Sequence, residues 1–582
     1  MIWLGIAAFA LVTATALALW APSIAEVYGY PGLGPVVDAG LPLAHVTALG
    51  AAAVAVGGLW RAAVLVPGEP HGTVTPQGYR GLLSVRPAAA VLAVAAFLVG
   101  ALTAAETVGT PPATYLTRPD LLLTGLGAVE PATGWVITGA VAAVVAGLAG
   151  AVLSWRGAVG LLTLLLLGLA VAPMTSIGNG SRDHDWSGDS ATLHALAALL
   201  WVGSAIAVRG LGPVAQRRHR RTATAALVAI VGSAVVPTAL AVRPGHLVTT
   251  GYGALVLVST AALVLLLRRT RSLAVELGLL GVAAAAGAAM SRLVPPTDDG
   301  AEVTRLVFLL GYELPDHLTA LDLVTRWRPD LIYAPLAVAA AVIYVIGVRR
   351  TGSWPVHRTV CWLAGCAVLL VATSSGIGTY ATGVLSVHLV AHALTATIAP
   401  LLLVLGHPLT LLRAAAPRLG RRVDALLDRP ALTHPAVAWA MVAVALFGTY
   451  ATGLFDAVVL DHWSHPAMDA VGLGTGLLLF RVLLGHGGLP EIGRLATAFA
   501  VMALHAGFAI WLLSRATPLA QDFYGAVALP FVPDLLADQR LGAALSWAIG
   551  EAGMVAAVAV LVTRWARHDP TPLAPTPDME RL

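Results

Sequence analysis

Lysine is absent from the 582 residues, so all 34 basic side chains are arginine. Charge of either sign is scarce: Asp, Glu and Arg together make up 11% of the chain, less than half the share usual in a soluble domain. Aromatic residues supply 6%, and no basic groove with interleaved aromatics is seen, which excludes a nucleic-acid binder. Cysteine is limited to Cys361 and Cys366. Two cysteines, five apart and on different helix faces, neither staple a secreted scaffold nor build a paired CxxC metal site, so they read as small core residues. HExxH, P-loop and GxSxG patterns are missing from suitable contexts.

What is present is apolar. Hydrophobic residues reach 58% and the mean hydropathy is +0.83. A bilayer span needs about 20 mostly apolar residues. On that measure the chain offers nine spans centred near residues 11, 52, 97, 143, 165, 200, 232, 259 and 282. Seven more follow near 340, 366, 394, 443, 475, 504 and 553. The runs are too long for strands, so the expected fold is all-α: a polytopic membrane protein of about 16 transmembrane helices in two bundles, 9 + 7. Only Ser154-Trp155-Arg156-Gly157 separates the spans near 143 and 165, which implies a tight turn.

With the N-terminus inside, 25 of the 34 arginines fall in cytoplasmic loops. The positive-inside rule therefore selects both termini in the cytoplasm of a multi-pass plasma-membrane protein, with its first span retained. The domains expected are a membrane domain over 1–291, an extracytoplasmic linker over 292–330, a seven-helix domain over 331–570 and a cytoplasmic tail over 571–582. Val307-Phe308-Leu309-Leu310, within the linker, reads as a stretch lying along the membrane surface.

Ionisable groups inside spans are costly and mark function by default. The second domain is rich in them: His388 and His392 four apart, His465 with Met468 and Asp469, Met502 with His505, and Glu551. At the helical rise, His392, His505 and Glu551 come out roughly 12–14 Å below the outer surface, and His388 and Asp469 roughly 5–6 Å. Imidazole binds copper, zinc or iron, and thioether sulfur selects Cu(I). Copper is thus the expected ligand of His388, His392, His505, His465, Met468 and Met502, with Glu551 and Asp469 as supporting or proton-accepting groups. In the first domain, His45 and His194 share a shallow outer level and are expected to face each other as a metal entry point. His184 and His246 read as solvated outer-loop residues, and His219, His357, His407 and His486 as ordinary loop residues of the inner side.

The second domain resembles CtaG-type cytochrome c oxidase assembly factors. The resemblance is carried by the stretch Ser386–Ala393 with its His388 and His392, and by Ala399-Pro400 running on to Gly406-His407-Pro408. It continues through His434-Pro435, His505, Asp538-Gln539, Gly542 and Trp547–Glu551. It implies a membrane copper chaperone or insertion factor, not an enzyme, with cytochrome c oxidase subunits or periplasmic copper proteins as partners. Leu389 and Ala393 stand where the family pattern has Met, and Val471 where it has His. Weaker, less Cu(I)-selective binding is expected from the loss of sulfur.

The first domain resembles the CopD copper-resistance family, most clearly at 190–296. His194, Trp201, Gly203, Gly251-Tyr252-Gly253, Glu276 and Pro295-Pro296 carry it, with Ser259 in place of a family Lys. The fusion looks like an actinobacterial arrangement, implying copper uptake or transfer by the first half and delivery by the second. Two other readings remain open. One is a haem-binding membrane oxidoreductase, with His392 and His505 as ligands from facing helices. The other is a secondary transporter coupled to protons through Glu551.

Overall fold

The computed structural model describes residues 32–568 apart from 67, 69–71, 177–182, 268–271, 291–292, 294–295, 297–302 and 486–488. The expected first span near residue 11, His486 and the tail lie outside the described residues. The chain divides into two units, Met1–Gly311 and Tyr312–Leu582.

The described residues are built from helices. Twelve are long and apolar enough to cross a bilayer. In the first unit these are α1 (Val36–Leu65), α2 (Pro76–Val108), α3 (Glu130–Ala151), α4 (Trp155–Thr175), α5 (His184–Ala207) and α6 (Pro213–Ala241). The shorter α7 (Gly251–Leu267) and α8 (Leu273–Gly287) follow. The second unit holds α9 (Tyr333–Thr351), α10 (Val356–Ser374), α11 (Leu385–Leu405), the shorter α12 (Pro435–Gly448), α13 (Ser464–Leu484), α14 (Glu491–Ser514) and α15 (Leu535–Arg567). Each expected span centre within the described residues coincides with one of these helices. At the centres near 259, 282 and 443 the helix is shorter than a full span.

Backbone groups have no water partner in hydrocarbon, so helix starts and stops must be chemically marked. Thr75 caps α2, accepting from the Gly78 amide with Pro76 at the first position, and Gly109 ends it at φ 71°. Ser154 caps α4 in the same way. The α3–α4 connection is as tight as expected, since α3 runs to Ala151 and α4 starts at Trp155.

Lipid is as apolar as leucine, so helix contacts come from close packing of small residues. In the first unit Ala48, Ala52, Ala55, Val56, Ala89 and Ala96 lie in one buried cluster. Gly57 of α1 meets Gly203 of α5 there. A Cβ on Gly203 would stand 2.7 Å from the Ala53 carbonyl oxygen, so this backbone contact admits only glycine. In the second unit α13 approaches α11 through Gly476, whose Cβ would strike the Ala396 carbonyl. Large apolar side chains are exposed along single helices, such as Val338, Val342, Ile343 and Ile346 on α9, as lipid contact requires.

Two sequence expectations are corrected, those on His184 and His219. The stretch Val307–Leu310 lies in a short helix, Arg305–Leu310, capped by Thr304 and stopped by Gly311 at φ 89°, with Val307 and Leu310 buried and Phe308 47% exposed. His184 is the first residue of α5 and 3% exposed, not solvated. His219 is 4% exposed inside α6, where it serves a buried polar network. Its Nδ1 lies 2.8 Å from Ser204 Oγ and its Nε2 lies 3.2 Å from Glu276 Oε1. Glu276 also accepts from the Trp201 indole N–H at 2.6 Å. The network joins α5, α6 and α8. Trp201 and Glu276, known from sequence only as marks of the CopD resemblance, thereby gain a physical role. Both cysteines are free thiols; Cys366 is buried, as expected of a small core residue, and Cys361 is half-buried.

Candidate functional site

α11 starts where Asp538 of α15 accepts the Ser386 backbone N–H at 2.9 Å. Gln539 is fully buried. It accepts from the Leu519 amide at 2.7 Å and donates to the Leu512 carbonyl at 3.0 Å. A Cβ on Gly542 would lie 2.6 Å from Ser386 Cα. The Asp538-Gln539…Gly542 motif thus fixes α15 against the start of α11, and the histidine pair of α11 follows at once.

His388 and His392 sit one turn apart with ring centroids 4.5 Å from each other. His388 is 2% exposed. Its Nε2 lies 3.0 Å from the Tyr450 hydroxyl, and its ring packs at 5.1 Å from Phe455. The His465 ring of α13 stands 6.0 Å from that of His388. The three imidazoles form a row, His465–His388–His392, running along α11.

The row ends at a cavity of about 240 Å³ lined by residues of α11, α12, α13, α14 and α15. His392, Tyr450, Met468 and His505 are its main polar or polarisable lining groups, and Leu389, Val442, Leu446, Phe508 and Trp547 are among the apolar ones. His505 Nδ1 is buried without a hydrogen-bond partner, and Gly550 leaves it room, since a Cβ there would stand 3.2 Å from that nitrogen. A buried nitrogen with no partner costs about 1–3 kcal/mol, which is recovered when a ligand arrives.

The backbone explains part of this shape. After His392 the helix widens into a π turn, Leu394–Ile398. Pro400 has no N–H for the Ala396 carbonyl, four residues back, and its ring crowds that oxygen. Within this turn the Thr395 hydroxyl lies 3.1 Å from the Ala391 carbonyl and 3.3 Å from Asp469 Oδ1. Asp469 is one turn beyond His465 on α13, so it carries the same face.

The expected residues therefore separate. His388, His392 and His465 adjoin one another, and His392, Met468 and His505 share the cavity. His388 does not line the cavity, and among the described residues no three His, Cys, Asp or Glu side chains are arranged to hold a metal ion. The expected convergence of His388, His392 and His505 on one centre is replaced by a row and a pocket. Met502 packs in an apolar cluster with Leu401, Val442 and Met554. Glu551 does not line the cavity and instead accepts from Trp547, one turn earlier on its own helix, at 3.2 Å. In the first unit His45 contacts the Leu41 carbonyl through Nδ1 at 3.1 Å and meets Trp135 edge-on at 5.1 Å. His194 Nδ1 lies 3.4 Å from Ser233 Oγ. The structure gives these two histidines separate partners.

Tyr450, Phe455 and Phe508 escaped the sequence reading. Their role depends on tertiary neighbours, and only the aromatic density at 447–455 hinted at it. Asp538 and Gln539 were visible as a motif, without a function.

Residues 342–568 match the family described as cytochrome c oxidase caa3 assembly factor (Caa3_CtaG). An uncharacterized protein of Mycobacterium bovis is 31% identical over 596 residues, covering 96% of this chain and 89% of its own length. An uncharacterized protein of Mycobacterium tuberculosis matches to the same extent. One from Mycobacterium leprae is 34% identical over 282 residues, 45% of this chain and 42% of its own. No solved structure matches the chain.

Proposed function

The chain belongs to the cytochrome c oxidase caa3 assembly factor (CtaG) family through residues 342–568, and from that premise we propose that its second unit carries copper for oxidase assembly. The observation that bears most weight is the shared cavity of His392, Met468 and His505, with a buried ring nitrogen left unpartnered. Imidazole and thioether together suit copper, and the thioether favours Cu(I). The ion is cargo here, not a resident cofactor. Two neutral imidazoles and one thioether, with no thiolate or carboxylate among the described residues that line the cavity, suit release to an acceptor. The row His465–His388–His392 offers successive donors between the α13 start and the cavity. His388 joins it when the Tyr450 hydroxyl releases Nε2.

The first unit, by its CopD resemblance, supplies uptake or transfer across the same plasma membrane, with both termini inside. Partners are cytochrome c oxidase subunits or periplasmic copper proteins. The protein acts as a carrier and not as an enzyme. The test is oxidase assembly in a strain lacking the gene, complemented with the wild-type chain or with His392→Ala/His505→Ala. We expect the variant to leave oxidase with its haem but deficient in copper. A fully metallated oxidase in cells that make the variant at wild-type level would refute the reading.

A further inference from the structure

The connection between α11 and α12 is not a plain loop. It folds into the helices Pro408–Ala415 and Pro417–Leu427. Arg413 grips Asp424 with two hydrogen bonds of 2.8 Å. Gly420 presses on the Arg413 backbone, where a Cβ would come within 2.8 Å of Cα. Arg481 of α13 reaches Asp428 at 3.1 Å. The hairpin is thus fixed to itself and to the bundle, and these contacts occupy both of its acids.

What remains on Pro417–Leu427 has two faces. Arg418, Arg421 and Arg422 stand at i, i+3 and i+4 and share one stripe. Leu419, Val423 and Leu426 occupy the other, and Leu419 is 52% exposed. Arg418 and Arg421 are exposed, and among the described residues no acid pairs with either. The helix links two apolar segments, so it runs where the bilayer surface passes. The neighbouring helix ends on that side carry Arg349, Arg350, Arg358, Arg481, Arg494 and Arg564; the opposite ends of the second unit carry only Arg326, Arg328, Arg515 and Arg540.

We propose that Pro417–Leu427 is an anionic-phospholipid site, in which Arg418 and Arg421 hold the headgroup phosphate while Leu419 enters the acyl boundary. A cationic stripe opposite an apolar stripe is what an interfacial helix needs. Each arginine near an anionic surface contributes about 1 kcal/mol, so the pair discriminates an anionic from a zwitterionic headgroup. The site anchors the inner end of α11, the helix that carries His388 and His392. The proposal does not depend on the copper reading.

The test uses the full-length chain in mixed micelles of phosphatidylglycerol and phosphatidylcholine, with retained lipid counted by native mass spectrometry. We expect Arg418→Gln/Arg421→Gln to lower retained phosphatidylglycerol roughly thirtyfold, with phosphatidylcholine unchanged. Arg418→Lys/Arg421→Lys, which keeps the charge, should retain most of it. Unchanged phosphatidylglycerol in the Gln variant would overturn the proposal. So would inorganic phosphate protecting the protein from thermal unfolding as well as phosphatidylglycerol vesicles do, because the site would then be for a free anion.

Discussion

Glu276 shows how this chain tolerates a carboxylate in an apolar bundle: two N–H donors, from Trp201 and His219, point at it. Removing the acceptor strands both donors, and each stranded group costs about 1–3 kcal/mol. Glu276→Ala is therefore expected to destabilise the first unit by about 3 kcal/mol, read as a lower melting temperature in detergent. Glu276→Gln, whose amide oxygen still accepts, should recover part of that. An Ala variant as stable as wild type would remove the network from the account. Asp322, outside the spans, is a carboxylate held by charge and hydrogen bonds. The Thr319 hydroxyl and Arg326 guanidinium bring its pKa from 3.8 down to about 2. A depressed carboxylate contributes stability above its unfolded pKa and loses it as pH falls through the folded value. The stability difference between wild type and Asp322→Asn should hold above about pH 4 and shrink to nothing near pH 2. A difference independent of pH over that window would contradict the assignment. Residues of this kind were poorly legible in the sequence. His184 and His219 read as loop residues because a span was taken at its minimal length, whereas α5 and α6 extend past the apolar run and draw flanking polar groups into packed helix.

At the scale of elements, span positions were legible because a bilayer demands some 20 apolar residues in a row, and that signal is local. The π turns were not. They arise from helix contacts and from Pro400, and the turn Leu394–Ile398 decides where His388 and His392 point relative to the Pro400 end of α11. Deleting Leu394 should close the π turn to α-helical spacing and displace His388 and His392 relative to the Pro400 end of α11. We expect the deletion variant to elute as a folded protein and to retain as little copper as His392→Ala/His505→Ala. Copper retained at wild-type level would show that the π turn does not set the donor geometry. His392 and His505, expected at one depth, share a cavity, whereas Glu551 does not line it. Rise along an axis gives height but not the direction in which a side chain faces, and it is Gly550 that looks into the cavity.

The whole molecule joins two membrane units in one chain, and the relatives from Mycobacterium bovis and Mycobacterium tuberculosis share that extent, matching 96% of it. Family membership rests on the second unit, and so does the site. Its assembly could not be read from spacing alone, because His465, His392 and His505 come from three helices whose packing is set by Gly476, Gly542 and Asp538. The central claim is that this second unit binds copper through the cavity. It is tested most directly by elemental analysis and X-ray absorption on full-length protein purified from copper-supplemented cells. The account expects copper in the wild-type protein with nitrogen and sulfur neighbours, and its loss from the folded His392→Ala/His505→Ala variant. Equal copper in the two proteins, or none in the wild type, would contradict it.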